Sequence, residues 1–430
     1  MKHNSNKIIK HIQRALFPLI MAVLFTAGCA PVPPAESADI LVDEDTPSEP
    51  AATWDVSNDT PRDSVGVPAA PFSGTLPEPD GFSVLFVNVG KADAAILRCG
   101  GKTALIDTGS SDSVPRLFAG LNAFGVTSID AVFVTHSHAD HLGGLDALAA
   151  NYDISMVYSP YYGATDKNGV GKVSKRAEKL DLPYRALYAG DALQFGNVTF
   201  AVLAPLGLNE ADENDNSLVL RVSFGEKTFL FTGDMQFAEE QALIDSGADL
   251  NSDVLKIGNH GNPDATGDAF GALVSPSYAV VSTDTAVDVD SAHPRVLAAV
   301  SPAETFLTQY FSIGVLMTLD PSGGIAVSNP ANDSPPPPVA IDSIDAKAQT
   351  VTLVNGSAAD ADLSGCVLFS ARTGAALRFP AGSTIPSGGR LVVGSGGTFT
   401  FPKEDKPFKK KDNIVSLYSM YGSLLDERTD

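Results

Sequence analysis

The most informative segment of the chain reads Thr135-His136-Ser137-His138-Ala139-Asp140-His141-Leu142-Gly143-Gly144, with four ligand-type side chains close together. An apolar strand is predicted before it and a helix after it. Imidazole nitrogen and carboxylate oxygen suit zinc or manganese. A loop at the end of a strand can turn His136 and His138 to one side and Asp140 and His141 to the other. The segment therefore predicts two divalent metal ions about 3.5–4 Å apart.

The distribution of histidine supports a metal site. Of the seven histidines in the chain, His3 and His11 lie in the N-terminal segment and three lie in the motif. The other two, His260 and His293, each stand in a short pattern of their own. A hydrogen-bonded loop without metal is the alternative, but the clustering favours metal binding.

Two carboxylates follow other predicted strands. Asp107 ends the string Leu105-Ile106-Asp107, and Asp234 ends the string Phe231-Thr232-Gly233-Asp234. Side chains at strand ends project where ligands are needed. We expect Asp107 to orient a ligand histidine from behind, and Asp234 to bridge the two metal ions.

The pattern of apolar residues predicts a layered α/β sandwich between residues 81 and 330, because short apolar runs alternate with amphipathic stretches. The predicted strands are 82–89, 94–98, 103–106, 131–135, 198–203, 218–224, 228–231, 254–257, 278–281, 315–319 and 325–327. Helices are predicted over 114–124 and 142–149.

Four strings taken together resemble the metallo-β-lactamase superfamily, and within it the metallo-hydrolase domain of ComEC-type competence proteins. They are His-Ser-His-Ala-Asp-His at 136–141, Leu-Ile-Asp-Thr-Gly at 105–109, Phe-Leu-Phe-Thr-Gly-Asp at 229–234 and Lys-Ile-Gly-Asn-His-Gly at 256–261. The resemblance implies a four-layer αββα sandwich with its metal site at one edge.

The resemblance also implies a set of ligands. His136 and His138 would bind one metal ion, and Asp140, His141 and His260 the other. Asp234 would lie between the two ions, which are zinc or manganese. A bridging water of lowered pKa would be the nucleophile, and Asp140 counts among the catalytic residues.

Two departures from the competence-type pattern bear on metal occupancy. Asn259 stands where that group has the first histidine of His-His-Gly, and a third histidine found in many superfamily members is absent. An asparagine-rich string occupies its region, and we expect Asn216 of that string beside the ligands. A site with one metal ion is therefore the alternative to a site with two.

His293 has two interpretations. A His-Pro pair recurs at this place in the resembling subgroup, which implies a phosphate contact or a proton donor to the leaving group. The alternative is a helix-start residue ahead of Pro294.

The N-terminus predicts export. Basic residues precede an apolar stretch, 15–27, that is too short to span a membrane. The following Gly28-Cys29 resembles the end of a lipobox, which implies removal of residues 1–28 and lipidation of Cys29. A plain secretory signal is the alternative. With lipid, the chain is anchored at the bacterial envelope, facing outward or periplasmic. Residues 29–80 predict a disordered acidic tether.

The C-terminal part predicts a second folded domain. A proline linker, 331–338, separates the hydrolase domain (81–330) from residues 339–430, which show only strand signals, at 350–355, 367–370, 390–393 and 414–418. The strings at 362–366 and 388–393 resemble the lamin-tail domain, an all-β immunoglobulin-like sandwich. Cys99 and Cys366 lie in different domains, so we expect two free thiols.

The charge balance limits the function. The chain has 29 basic and 51 acidic residues, a net charge of −22, which excludes a general nucleic-acid coat protein. One basic cluster is an exception, formed by Lys403, Lys406, Lys409, Lys410 and Lys411. It contacts nucleic acid or an anionic surface, or it is a solvated loop.

Three hypotheses follow for the function. The favoured one is an exported, metal-dependent phosphodiesterase or nuclease, with a phosphodiester such as DNA as its substrate and no protein partner predicted. A second keeps the enzyme but gives it a small phosphodiester of the cell surface. The third is a degenerate metal domain in an envelope or adhesion binding protein that acts through the lamin-tail domain. Retention of His136, Asp140 and Asp234 argues against decay.

Overall fold

The computed structural model describes residues 71–72, 81–319, 323–330, 335–404 and 406–430. The predicted signal peptide, Cys29 and all of the predicted tether except 71–72 lie outside these ranges. Within them, no helix combines the length and the hydrophobicity that crossing a bilayer requires.

The part of the chain before the proline run alternates strands and helices. The strands are β1 (Pro71–Phe72), β2 (Phe82–Val87), β3 (Ala95–Cys99), β4 (Lys102–Ile106), β5 (Ser128–Ile129), β6 (Ala131–Phe133), β7 (Asp153–Ile154), β8 (Val157–Pro160), β9 (Tyr184–Leu187), β10 (Ala192–Phe195), β11 (Val198–Ala204), β12 (Val219–Phe224), β13 (Lys227–Phe231), β14 (Val254–Lys256), β15 (Tyr278–Val281), β16 (Glu304–Leu307), β17 (Gly314–Leu319) and β18 (Ile325–Pro330). The helices are α1 (Val114–Ala123), α2 (Ala139–Leu142), α3 (Leu145–Asn151), α4 (Lys172–Lys179), α5 (Phe237–Ser246), α6 (Asp268–Val274) and α7 (Pro294–Ala299).

Apart from β5 and β7, which pair with each other, these strands form two large sheets that face each other. One has the order β1-β18-β17-β2-β3-β4-β6-β8-β9, and the other runs from β10 to β16 in sequence order. Side chains of β2 alternate between the two faces of its sheet, as the pleat requires. Val84 and Phe86 enter the core between the sheets, where Phe86 stacks on Phe231 with ring centroids 5.6 Å apart. Leu85 and Val87 enter a core on the outer face.

The helices cover both outer faces. Buried residues of α1, α3 and α4 pack on the first sheet, with Leu117, Leu148 and Val173 in one core. Buried residues of α5, α6 and α7 pack on the second sheet, with Leu243 and Val296 in another. The predicted four-layer αββα sandwich is confirmed.

The C-terminal part contains strands only, among the residues that the structure describes. They are β19 (Val339–Asp345), β20 (Thr350–Asn355), β21 (Ala361–Asp362), β22 (Val367–Ser370), β23 (Ala375–Arg378), β24 (Thr384–Ile385), β25 (Arg390–Gly394), β26 (Ile414–Tyr418) and β27 (Leu424–Thr429). Sheets β19-β20-β25 and β23-β22-β26-β27 enclose a core of their own. The all-β class of this region is confirmed. Cys99 and Cys366 are both buried and free, as expected.

This C-terminal β region rests on helices α1 and α3. Its Val367 and Phe369 belong to the same apolar core as the inner residues of those helices. Asn122 of α1 donates to the carbonyl oxygen of Gly365 at 2.9 Å, and Asn151 of α3 donates to that of Ala376 at 3.0 Å. Apolar burial and satisfied amides together make the contact a packed interface.

One predicted helix is wrong in its bounds. In place of a helix over 142–149, the chain forms α2 and α3 with Gly143 and Gly144 between them. A Cβ atom on Gly144 would lie 2.2 Å from the carbonyl oxygen of Thr108, and one on Gly143 would lie 2.6 Å from the backbone nitrogen of Ser111. The two glycines therefore let the segment from His138 to Gly144 pack closely against the loop after β4. A continuous helix with side chains at positions 143 and 144 would clash with that loop.

Candidate metal centre

The site lies where strands of both sheets end. Asp107 follows β4 and His136 follows β6, which is parallel to β4; Asp234 follows β13 and His260 follows β14, which is parallel to β13. The carboxyl ends of parallel strands meet at one edge of a sheet. Two sheets thus bring four polar side chains to the same edge of the sandwich.

His136 and His138 form one side of the site. His136 is buried and His138 is exposed. Nε2 of His136 lies 3.0 Å from Nδ1 of His138 and 3.9 Å from Oδ2 of Asp234. Nδ1 of His136 faces the hydroxyl groups of Thr135 and Ser217, at 3.2 and 3.4 Å. Burial and the neighbouring His141 lower the pKa of His136 well below its ordinary value, so this ring is a neutral donor of a lone pair.

His141 is held by a carboxylate behind it. Its Nδ1 lies 2.8 Å from Oδ2 of Asp107, and that carboxylate also accepts from the backbone nitrogen and the hydroxyl of Thr135, at 2.7 and 2.8 Å. The contact turns Nε2 of His141 toward Oδ2 of Asp234, 3.1 Å away. Burial opposes a charge on His141, but Asp234 and Asp107 outweigh burial and raise its pKa well above the ordinary value. A cation at Nε2 would take the place of that proton.

His260 has its ring fixed by the backbone. Its Nδ1 lies 2.8 Å from the carbonyl oxygen of Ser282, which accepts the Nδ1 proton and leaves Nε2 to face Asp140 and Asp234 at 3.4 Å each. Burial opposes a charge on His260, but Asp234 and Asp140 outweigh it and raise the pKa to about 9. The backbone of His260 is left-handed, with φ of 54°, a strained conformation that functional sites often hold.

Asp140 is the carboxylate of the site nearest to solvent, with 24% of its side chain exposed. Its Oδ2 lies 3.4 Å from Nζ of Lys91. Burial opposes ionisation of Asp140, but His260 and His141 outweigh it and hold its pKa well below the usual range. The group is therefore a carboxylate that is open to a substrate.

The donor set fits a divalent cation. Ligand atoms of Asp140, His141, Asp234 and His260 all lie within 4.8 Å of one another. Oδ1 of Asp234 and Nε2 of His260 are buried without a hydrogen-bond partner, and such groups are costly unless an ion or water satisfies them. Two carboxylates and two imidazoles are ligands of zinc or manganese. His136 and His138 add two nitrogen atoms on the other side of Asp234.

The sequence did not predict a buried ion pair beneath these ligands. Lys256, on β14, pairs with the carboxylate of Asp93, and both side chains are about 95% buried. Nζ of Lys256 also donates to the carbonyl oxygen of Gly233 at 3.1 Å and lies 3.9 Å from Oδ1 of Asp234. Burial opposes the charge on Lys256, but Asp93 and Asp234 outweigh it and raise its pKa. Lys256 stands in the string 256–261 that carries the resemblance, which is the signal that could have found it.

Three predicted positions lie around the ligands. Asn216 bonds within its own loop, to the backbone of Asn209 at 2.8 Å, and Ser217 is the residue that contacts His136. The amide of Asn259 donates to Asp264 at 2.9 Å. Where the competence-type group has a histidine, this chain therefore has a side chain that bonds within its own loop. His293 caps α7, where its Nδ1 accepts from the backbone nitrogen of Arg295 at 3.2 Å, as the helix-start interpretation expects.

These sheets define a metallo-β-lactamase fold with a candidate metal centre at one edge, and comparison with known families agrees on the fold. Residues 87–285 match the model of the metallo-beta-lactamase superfamily and form a domain of that superfamily. The resemblance noted from the sequence motifs is confirmed for this domain.

The relatives of the domain include competence proteins. The chain is 30% identical over 205 residues to ComE operon protein 3 of Bacillus subtilis, which covers 48% of this chain and 25% of that protein. It is 28% identical over 211 residues to competence protein ComA of Neisseria gonorrhoeae, covering 46% and 26%. The chain thus spans about a quarter of the length of these relatives. The metallo-beta-lactamase fold protein YhfI of Bacillus subtilis is a solved structure with a TM-score of 0.40 and 14% identity, covering 56% of this chain and 100% of that one.

Proposed function

We propose that this chain is a metal-dependent hydrolase of phosphodiesters, DNA among them, that is exported and held by lipid at the bacterial envelope. The observation that supports it most is the convergence of Asp140, His141, Asp234 and His260 around two buried atoms without hydrogen-bond partners. The metallo-β-lactamase domain adds support, because members of that superfamily are generally metal-dependent hydrolases.

Each residue of the site has a task in this proposal. Asp140, His141, Asp234 and His260 would hold one ion, and His136 and His138 would hold a second with Asp234 shared. Bound divalent metal would supply an activated water and Lewis-acid stabilisation of the phosphoryl oxygens. The protein itself orients the ligands, through Asp107 behind His141 and the carbonyl oxygen of Ser282 behind His260.

Groups at the mouth of the site would act on the substrate. Asp140 faces solvent and can accept a hydrogen bond from the attacking water, which orients it. Lys91, 3.4 Å from Asp140, carries a positive charge that a phosphate oxygen can approach. Nδ1 of His293 accepts from the backbone nitrogen of Arg295, so its Nε2 is the ring nitrogen that would donate toward a leaving-group oxygen. Its backbone nitrogen is tied to the carbonyl oxygen of Gly261 at 2.9 Å, next to His260.

The test is hydrolysis by the full chain of two substrates, bis(p-nitrophenyl) phosphate and single-stranded DNA, with manganese or zinc. We expect metal-dependent cleavage that disappears in Asp234→Asn, because the shared ligand is lost. Asp249→Asn is the matched control, since Asp249 is exposed and pairs with Arg221 at 3.2 Å.

Three results are informative. Cleavage of both substrates supports the proposal. Cleavage of the small diester alone narrows the substrate to a small phosphodiester. If protein that has taken up metal cleaves neither substrate, the hydrolase proposal is wrong and the binding-protein hypothesis gains.

A further inference from the structure

A groove of about 780 Å³ opens beside the metal motif. It is lined by Ser137, which lies between His136 and His138 in the sequence, and by one face of helix α4. The groove therefore lies beside the candidate metal centre and extends along α4 in the outer layer of the sandwich.

The face of α4 in the groove is basic because of residue spacing. Lys172, Lys175, Arg176 and Lys179 stand at i, i+3, i+4 and i+7, which puts all four on one side of a helix. Val173 and Ala177 lie on another side and are buried in the apolar core. The core thus fixes the rotation of α4 and directs its cations into the groove.

The local charge is opposite to that of the whole protein. The groove lining has four cations against the two carboxylates of Asp166 and Glu178, in a chain whose net charge is −22. Outside the lining, Asp146 pairs with Arg176 and lies 4.0 Å from Lys179, so four cations face three carboxylates. Lys175 pairs with Asp166 at 2.7 Å, but such surface pairs are weak and yield to a competing anion. Lys172 has no carboxylate within ion-pair distance among the described residues. The excess of cations would attract a polyanion to this side of the candidate metal centre.

An aromatic platform lies at the same sheet edge. Tyr161 and Tyr188 directly follow the parallel strands β8 and β9, whose neighbour β6 leads into His136. Their rings stack with centroids 4.4 Å apart, although the two side chains are 56% and 46% exposed. The loop from Tyr161 to Gly171 connects β8 to α4. Exposed stacked rings beside a positive groove are the features that bind single-stranded nucleic acid.

We propose that this groove binds the backbone of a nucleic-acid strand beyond the phosphodiester at the metal centre, with Tyr161 and Tyr188 stacking on its bases. The proposal rests on the proposed function and specifies its substrate as a strand of several nucleotides. The helix α4 is about 12 Å long, which matches three or four phosphates of a stacked strand. A small diester would occupy the centre alone.

The test separates binding from catalysis. Binding of a fluorescent single-stranded DNA of about twelve nucleotides to the full chain is measured by anisotropy in EDTA, over a series of salt concentrations. Lys172→Ala/Lys179→Ala is expected to weaken binding about tenfold and to reduce the salt slope by about 1.4, because two phosphate contacts are lost. Lys102→Ala/Lys347→Ala removes the same charge at exposed sites away from this edge, and is expected to bind as the wild type does.

The platform is tested in the same assay. Tyr161→Ala is expected to weaken binding about tenfold, and Tyr161→Phe to retain it, since stacking needs the ring and not the hydroxyl. If both tyrosine variants and both lysine pairs bind the strand equally, the proposal is overturned. A loss of strand binding confined to Lys409→Ala/Lys410→Ala would place the strand on the C-terminal basic cluster. That result would also overturn the groove proposal.

The remaining outcomes distinguish this proposal from the proposed function. The Lys172→Ala/Lys179→Ala protein is the groove variant. In the presence of manganese, its ratio of DNA cleavage to bis(p-nitrophenyl) phosphate cleavage is expected to fall about tenfold. An unchanged ratio in an active enzyme rejects the groove and leaves the hydrolase intact. If phosphatidylglycerol vesicles, but not the strand, lose affinity in the groove variant, the groove is a membrane contact and the proposal is wrong.

Discussion

Nδ1 of His141 lies 2.8 Å from Oδ2 of Asp107, and this contact turns the opposite nitrogen of the ring toward Asp234. Asp107 is completely buried and has a left-handed backbone, with φ of 60°. The ligands of the candidate metal centre are therefore oriented by buried groups that no substrate reaches.

Replacing Asp107 should weaken metal binding. In Asp107→Asn the ring of His141 loses its charged partner, and we expect metal affinity to fall about 10–100-fold. Competition with a chromogenic chelator measures this loss. Asp130→Asn, at a carboxylate that bonds Lys102 and Thr103 instead, should retain wild-type affinity. Equal affinities in both variants would show that Asp107 does not support the ligand.

The buried pair of Lys256 and Asp93 should be strongly coupled. Lys256→Met leaves the carboxylate of Asp93 buried without its partner, so we expect about 3–5 kcal/mol of destabilisation in metal-free protein. Lys256→Met/Asp93→Asn removes both charges and should recover a large part of the lost free energy of unfolding. Urea unfolding of the two single variants and the double variant measures the coupling. Additive losses would contradict a direct pair.

The C-terminal β region should stabilise the metallo-β-lactamase domain. Nε of Arg378 donates to Oδ1 of Asn122 at 2.6 Å, and its guanidinium lies 5.7 Å from the ring centre of Tyr152. We expect Arg378→Ala to lower the free energy of unfolding by about 1–3 kcal/mol. Arg390→Ala breaks an exposed pair with Asp342 and should cost less than about 1 kcal/mol. Similar losses in both variants would mean that the interface contributes little.

Metal affinity should rise with pH. The metal-free pKa of His260 is raised to about 9, so a proton must leave before the ring binds a cation. Below that value, affinity should increase about tenfold for each pH unit per proton displaced, and level off above it. Calorimetry in buffers of different ionisation enthalpy counts the released protons at pH 7. Affinity that is independent of pH would exclude His260 as a ligand.

Lipid anchoring can be tested at Cys29. The full chain, expressed in a bacterial host, should sediment with membranes and incorporate labelled palmitate, whereas Cys29→Ser should lose the label. Cys99→Ser is the matched control, because Cys99 is buried in the folded domain. Palmitate label that persists in Cys29→Ser would reject the lipoprotein prediction. Secretion of the wild-type chain without label would favour the plain secretory signal.

Local patterns predicted much of the site. The motif from His136 to His141, together with Asp107 and Asp234, could be found because each stands at a strand end beside glycine. The backing of His260 by Ser282 could not, because those residues are joined only through the parallel pairing of β14 and β15. Pairing between strands that are far apart in the chain decides such contacts, and the local residue pattern of a single sequence does not predict that pairing.

The groove was missed for a different reason. Helix α4 buries only Val173 and Ala177, so its apolar pattern is too sparse to predict a helix. Its cations are interspersed with polar residues and do not form a run. The interface of the C-terminal β region was missed because Asn122 and Arg378 are far apart in sequence and have ordinary neighbours.

The most direct test of the metal centre is the metal content of the full chain and of three histidine variants, measured by elemental analysis. We expect bound zinc or manganese in the wild type and in His293→Ala, and loss of it in His260→Ala. His138→Ala should lose only the ion on the side of His136, which would leave the set formed by Asp140, His141, Asp234 and His260 occupied. A wild-type chain that takes up no divalent metal, or a His260→Ala chain that retains all of it, would contradict the account.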